Sequence, residues 1–183
     1  MARFVRFVFC LGLGLLAQGA PAFAQSGALP DAAPKVQASF IADGIHLPQC
    51  FLKTALRAKG VERAVLVTDA SSPAGCAPGR YRLGEQDVDL TADNRVVLAG
   101  QNRLAGSALR MHTGVEKLMQ LGELSLADAV RLATINAARA GRVPGREKGL
   151  AADDRADFVL FDFDDAQKKI EIKATYVGGK KVF

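Results

Sequence analysis

The stretch AVLVTDASSPAG, residues 64–75, runs four apolar positions into Thr68 and Asp69 and then opens into small residues. A carboxylate at the end of a buried strand can act as a general base. It can equally cap the next segment or bond loop amides. A second apolar stretch, VQASFIA at 36–42, runs in the same way into Asp43-Gly44-Ile45-His46. A histidine there can hydrogen-bond a substrate or polarise a carbonyl. In parallel α/β folds ligands bind just beyond the C-terminal strand ends, so Asp43, His46 and Asp69 form the candidate set. The second of the chain's 2 histidines, His112, lies beside Met111 in a helical pattern and reads as packing or surface. Cys50 and Cys76 are open to two readings, a disulfide in an exported protein or free thiols. Neither has a Cys or His at metal-ligand spacing.

The elements that must position these groups are legible in outline. VQASFIA reads as a strand. LPQCFLKTALRAKG reads as a helix with Pro48 at its start and Gly60 at its end. RAVLVT, 63–68, reads as the next strand, so one strand–helix–strand unit of the kind a parallel sheet requires is present. Beyond the loop at 70–79 the texture changes to short antiparallel strands with a turn at Ala92-Asp93-Asn94 and a Gly-containing loop. The spacing then predicts a helix over 107–122 and another over 126–141, with Ser125 as cap and Gly141 as stop. After the loop 142–149 come three terminal strands, the last two joined by Gly178-Gly179.

Composition bounds the function. With 183 residues, 49% hydrophobic and 23% charged, the chain suits one domain with a sizeable core, or one domain with a small appendage. The net charge is +5, and no basic run interleaved with aromatics argues for nucleic-acid binding. Residues 1–24 have a basic start, an apolar stretch too short for a stable membrane span and an Ala22-Phe23-Ala24 ending. That layout is a secretory signal, with cleavage expected before Gln25, or else a misread start. Residues 25–35 read as a Pro/Ala-rich connector.

FIADGIH, LRAKG, VLVTDASSPAG and RLAGSALRM, in that order and spacing, resemble the C-terminal part of N-acetylglucosamine-6-phosphate deacetylases, of the metal-dependent amidohydrolase superfamily. The tail NAARAGR, GLAADDRADFVLFD and ATYVGGKKVF resembles the ending of many amidohydrolases, and the resemblance spans roughly residues 27–183. It implies an α/β fold: over 36–155 the last two strands of a TIM-type barrel with their helices and a β-insertion near 80–98, then strands of a small β-sandwich over 156–183. Asp69 matches the catalytic aspartate, which takes a proton from metal-bound water and returns it to the leaving amine. His46 matches the histidine that orients or polarises the acetamido carbonyl. Asp43, Gly44 and Ile45 belong to the same substrate-contacting stretch, and Leu104, Ala105 and Gly106 match the loop that closes over the sugar. The implied reaction is hydrolysis of an N-acetyl amino-sugar 6-phosphate. The implied cofactor is a divalent metal, zinc or similar, which lowers the pKa of its water from about 15.7 towards about 7.

The family's metal ligands, a Glu and two His, lie on earlier barrel strands, so no metal ligand is assigned in this chain. A complete barrel of this type needs eight strands and typically about 250 residues. The expectation is therefore a truncated or rearranged gene product, or a wrong gene model. Family members are often homo-oligomers and work in the cytoplasm, where amino-sugar phosphates occur, whereas residues 1–24 point to the periplasm or secretion. Two alternatives stand beside the deacetylase: a non-catalytic, exported remnant that binds a sugar or a partner chain, and an amidohydrolase acting on another amide.

Overall fold

Two short, largely apolar runs, half of their residues β-branched or aromatic, set the first layer of the structure. The computed structural model describes residues 36–146, 152 and 154–183, together with the backbone of 4–9. The expected cleavage point at Gln25, the connector 25–35 and the end of the 142–149 loop lie outside the described residues. Strand β1 spans Phe4–Phe9, β2 Ala38–Ile41 and β3 Ala64–Val67, with helix α1, Gln49–Lys59, between β2 and β3. β2 and β3 pair in parallel, from Ala38 opposite Ala64 to Ile41 opposite Val67. Gly60 ends α1 with φ 76°, and its N–H donates to the Leu56 carbonyl at 2.8 Å.

An antiparallel meander follows: β4 Gly79–Leu83, β5 Gln86–Leu90, β6 Arg95–Leu98 and β7 Leu104–Ser107. Asn94 turns the chain between β5 and β6 with φ 59°, a left-handed conformation that Asn tolerates. Val88, Leu90, Val96 and Ala108 form a small core of their own beneath this sheet.

Helices α2 (Met111–Gly122), α3 (Leu126–Ala133) and α4 (Ile135–Ala140) come next. Two expectations need correction here. The helix predicted over 107–122 starts only at Met111, because Leu104–Ser107 is spent on pairing with β6. The helix predicted over 126–141 breaks at Thr134, whose φ of −125° and ψ of −89° end α3 and restart the chain as α4. Ser125 caps α3 as expected, its Oγ accepting the Asp128 N–H at 3.1 Å.

The chain ends in β8 Phe158–Asp164, β9 Lys169–Val177 and β10 Lys180–Lys181, in a sheet of order β1-β8-β9-β10. The backbone of Phe4–Phe9, read from sequence as part of a signal-like segment, pairs antiparallel with β8. The main core joins the two regions: Phe40, Leu52, Leu66, Leu118 and Leu132 pack in one cluster with Val159, Phe161 and Phe163 of β8. Burying side chains of this size contributes about 1.5–3 kcal/mol each. Glu116 of α2, only 3% exposed, fastens the helix to β9 by accepting the Ile170 N–H at 2.8 Å and the Lys169 ammonium at 2.9 Å. Among the described residues no helix is long and apolar enough to cross a membrane.

Candidate functional site

Strand register brings the candidate residues together. Ile41 and Val67 are the last partners of the parallel pair, and Asp43 and Asp69 each stand two residues beyond them. Adjacent strands lie about 4.8 Å apart, so both residues follow neighbouring strands at the same, C-terminal edge of the sheet.

Asp43 organises the first of the two loops. Its Oδ1 accepts the N–H groups of Ile45 and His46 at 2.8 Å each, and its Oδ2 meets His46 Nδ1 at 2.5 Å. Burial pushes the Asp43 carboxyl up, but the amide and imidazole hydrogen bonds outweigh it and hold the group below the ordinary carboxylate range. The ionised carboxylate only accepts, so Nδ1 carries the proton and Nε2 is the free ring nitrogen. Neutral, His46 therefore offers a substrate an acceptor at Nε2; only as imidazolium can it donate there to a carbonyl oxygen. Gly44 takes φ +79°, and a Cβ added to it would stand 3.1 Å from Leu121 Cδ1, so the loop needs glycine for both reasons.

Asp69 sits at the tip of the second loop with φ 47°, an uncommon conformation for a non-glycine residue. Its side chain is exposed and has no partner among the described residues. Its oxygens are uncommitted, whereas those of Asp43 are engaged by His46 and two amides. Immediately after it, Ala70 bridges Ser107, and the Ser71 N–H and Oγ–H both donate to the Ser107 carbonyl, at 2.9 and 3.0 Å. The Ser107 Oγ in turn accepts the Leu109 N–H at 3.1 Å. Through this stitch the segment Leu104, Ala105 and Gly106 is fixed beside the Asp69 loop. Ser71 and Ser107 were not singled out from sequence. Their only signal there is a pair of small-residue runs, and small residues fit many kinds of loop.

His112 stands apart. It lines an apolar cavity of about 280 Å³ with Val115, Val159, Phe161 and Ile170, between α2 and the terminal sheet. Burial, ahead of the neighbouring charges, pushes its pKa down. This is a packing environment, as the sequence allowed. Cys50 and Cys76 are free and exposed, so of their two readings the structure shows thiols.

The family resemblance implies a divalent metal. Among the described residues, however, no three His, Cys, Asp or Glu side chains cluster in a way that could hold one. Asp43 and His46 are satisfied by each other and Asp69 is alone. The described residues therefore do not fit a metal centre of their own.

Residues 91–183 match the Amidohydrolase family. The chain belongs to that family. Its similarity is to N-acetylglucosamine-6-phosphate deacetylases in particular. The deacetylase of Bos taurus is 36% identical over 145 residues, 78% of this chain and 33% of that protein. The deacetylase of Bacillus subtilis (strain 168) is 32% identical over 124 residues, 68% of this chain and 31% of that protein. Among solved structures, the N-acetyl-D-glucosamine-6-phosphate deacetylase from Mycobacterium smegmatis in complex with N-acetyl-D-glucosamine-6-phosphate superposes with a TM-score of 0.70 at 32% identity. That match covers 80% of this chain and 38% of the other. The chain thus spans about a third of the length of these relatives.

Proposed function

We propose that this chain carries the substrate-orienting and proton-transferring part of a hydrolase that removes acetate from an N-acetyl amino-sugar 6-phosphate. The observation that carries the proposal is the register that sets the Asp43–His46 loop beside Asp69, with Leu104–Ser107 stitched to the second loop. Water attacks the amide carbonyl carbon, and the Asp69 carboxylate accepts its proton. The same proton then passes to the amine nitrogen as the C–N bond breaks, releasing acetate and an amino-sugar phosphate. His46, held by Asp43, fixes the acetamido group through Nε2, donating to the carbonyl oxygen when the ring is charged. Asp43, Gly44 and Ile45 shape that side of the pocket, and Leu104, Ala105 and Gly106 cover the sugar. No step here uses a metal held by the described residues.

In this reading β2 and β3 are the last two strands of a barrel within 36–155, the meander is an insertion, and 156–183 supply strands of a small sandwich. The phosphorylated substrate places the activity in the cytoplasm. The test is a titration of the ¹⁵N-labelled chain with N-acetylglucosamine 6-phosphate. Shifts are expected at the His46 ring and the Leu104–Gly106 amides, with affinity at least tenfold weaker in His46→Ala. Shifts confined to other surfaces, or equal affinity in the variant, would overturn the proposal.

A further inference from the structure

Strand β8 is the element of this chain with most to lose from an open edge. Its sequence, FVLFDFD, contains neither Pro nor Gly, and Val159, Phe161 and Phe163 are only 6%, 3% and 5% exposed in the main core. In the sheet order β1-β8-β9-β10, one edge of β8 is bonded to β9 and the other, among the described residues, to β1 alone. The β1–β8 ladder runs in unbroken register from Phe4 opposite Asp164 to Phe9 opposite Val159. The β8–β9 ladder, by contrast, slips between Leu160 and Phe161. Without β1, the backbone of Val159–Asp164 would be an unpaired edge on an apolar strand, a template on which another chain can add a strand.

We infer that Phe4–Phe9 is retained in the folded protein as a strap that guards the edge of β8 and bars a second copy of the chain from pairing there. The sequence of the strap, FVRFVF, consists, Arg6 apart, of aromatic and β-branched residues, the types that favour strands. The same six residues lie in the stretch 1–24 whose layout resembles a secretory signal. Cleavage before Gln25 would remove β1 and open the edge of β8, so export and strand pairing are competing uses of one segment. β8 lies near the opposite end of the chain, so the strap closes only on a complete chain. An uncovered β8 edge is its own complement: two copies related by a two-fold axis can pair it antiparallel. The inference is independent of the deacetylase reading, whose named groups all lie outside β1 and β8.

The test begins with the full chain expressed from its own start in a bacterium that cleaves secretory signals. Intact mass is expected to show residues 4–9 still attached. Hydrogen exchange is expected to be slowed at least about tenfold, relative to an unstructured chain, over Phe4–Phe9 and over Val159–Asp164. Both readings come from the unmodified chain, so they decide the inference whether or not a variant folds. The variant is Arg6→Pro/Phe7→Pro. Alternate residues of a strand bond to one neighbour, so one of the two prolines must remove a bond to β8. Expected are a urea midpoint lower by roughly 0.5 M or more and, in sedimentation at equal concentration, a larger species than the parent forms. A purified chain beginning at Gln25, unprotected amides over 4–9, or a double-proline variant with the parent's midpoint and association state would overturn the inference.

Discussion

Gly106→Ala should loosen the join between Leu104–Ser107 and the Asp69 loop, and the structure sets the scale of the effect. Gly106 does not have the positive φ that strains other residues, so space alone bars a side chain. A Cβ built there lies 2.6 Å from Ser71 Oγ and 3.1 Å from Ser71 Cβ, where ordinary contact begins at 3.4 Å. Rotating the hydroxyl away would clear the first clash but break its bond to the Ser107 carbonyl, and the second clash would remain. Overpacking of this kind costs about 1–3 kcal/mol, and the lost hydrogen bond about 1 kcal/mol. A net destabilisation of about 2 kcal/mol is expected, read as a fall of about 1 M in the urea midpoint for a slope near 2 kcal/mol/M. The Ser71 amide, bonded to Ser107, should lose hydrogen-exchange protection as well. Ser71→Gly removes both clashing atoms, so adding Gly106→Ala in that background should cost less than about 0.5 kcal/mol, the limit for uncoupled sites. A neutral Gly106→Ala, or an equal cost in both backgrounds, would refute the packing argument.

Two further perturbations probe the supports of the site. The folded-state pKa of Asp43 is depressed, so its contribution to stability is full above the ordinary aspartate value of 3.8 and is lost as pH falls through the lower folded value. Acid unfolding below that pH should therefore be shallower in Asp43→Asn than in the parent chain, and identical acid profiles would contradict the assignment. Asn136 is fully buried and donates to the Val61 and Ala64 carbonyls at 2.7 and 2.8 Å, anchoring the start of β3. Asn136→Ala should cost about 2–4 kcal/mol, the penalty for leaving buried acceptors unpaired, and a loss below about 0.5 kcal/mol in urea unfolding, the scale of surface substitutions, would show that the anchor is dispensable.

The same residues show what a sequence can disclose. Ala64–Val67 is apolar without interruption and ends at a polar tip, so the strand and the place of Asp69 were both legible. The bond between Asp43 and His46 is local, three residues apart, yet the sequence shows only that both residues follow one strand. The break at Thr134 is not local. Residues 126–140 carry an unbroken helical pattern, yet the chain turns at Thr134, and Asn136 two residues later reaches carbonyls more than seventy positions upstream. The stitch between Ser71 and Ser107 spans 36 positions and joins an amide and a hydroxyl to one main-chain carbonyl, which leaves only small residues as its trace. The late start of α2 has the same origin, since Ser107 is held in the sheet by contacts distant in sequence.

The most direct measurement is acetate release from N-acetylglucosamine 6-phosphate by residues 36–183 joined to the N-terminal part of the Bacillus subtilis relative, with and without Asp69→Asn. Positioned general acid–base groups contribute about 10²- to 10⁴-fold. The account predicts an active chimera whose Asp69→Asn variant folds normally and loses activity by that factor. A folded chimera that releases acetate equally well with asparagine at position 69 would contradict the role of Asp69, and with it the reading of the strand ends as a hydrolytic site.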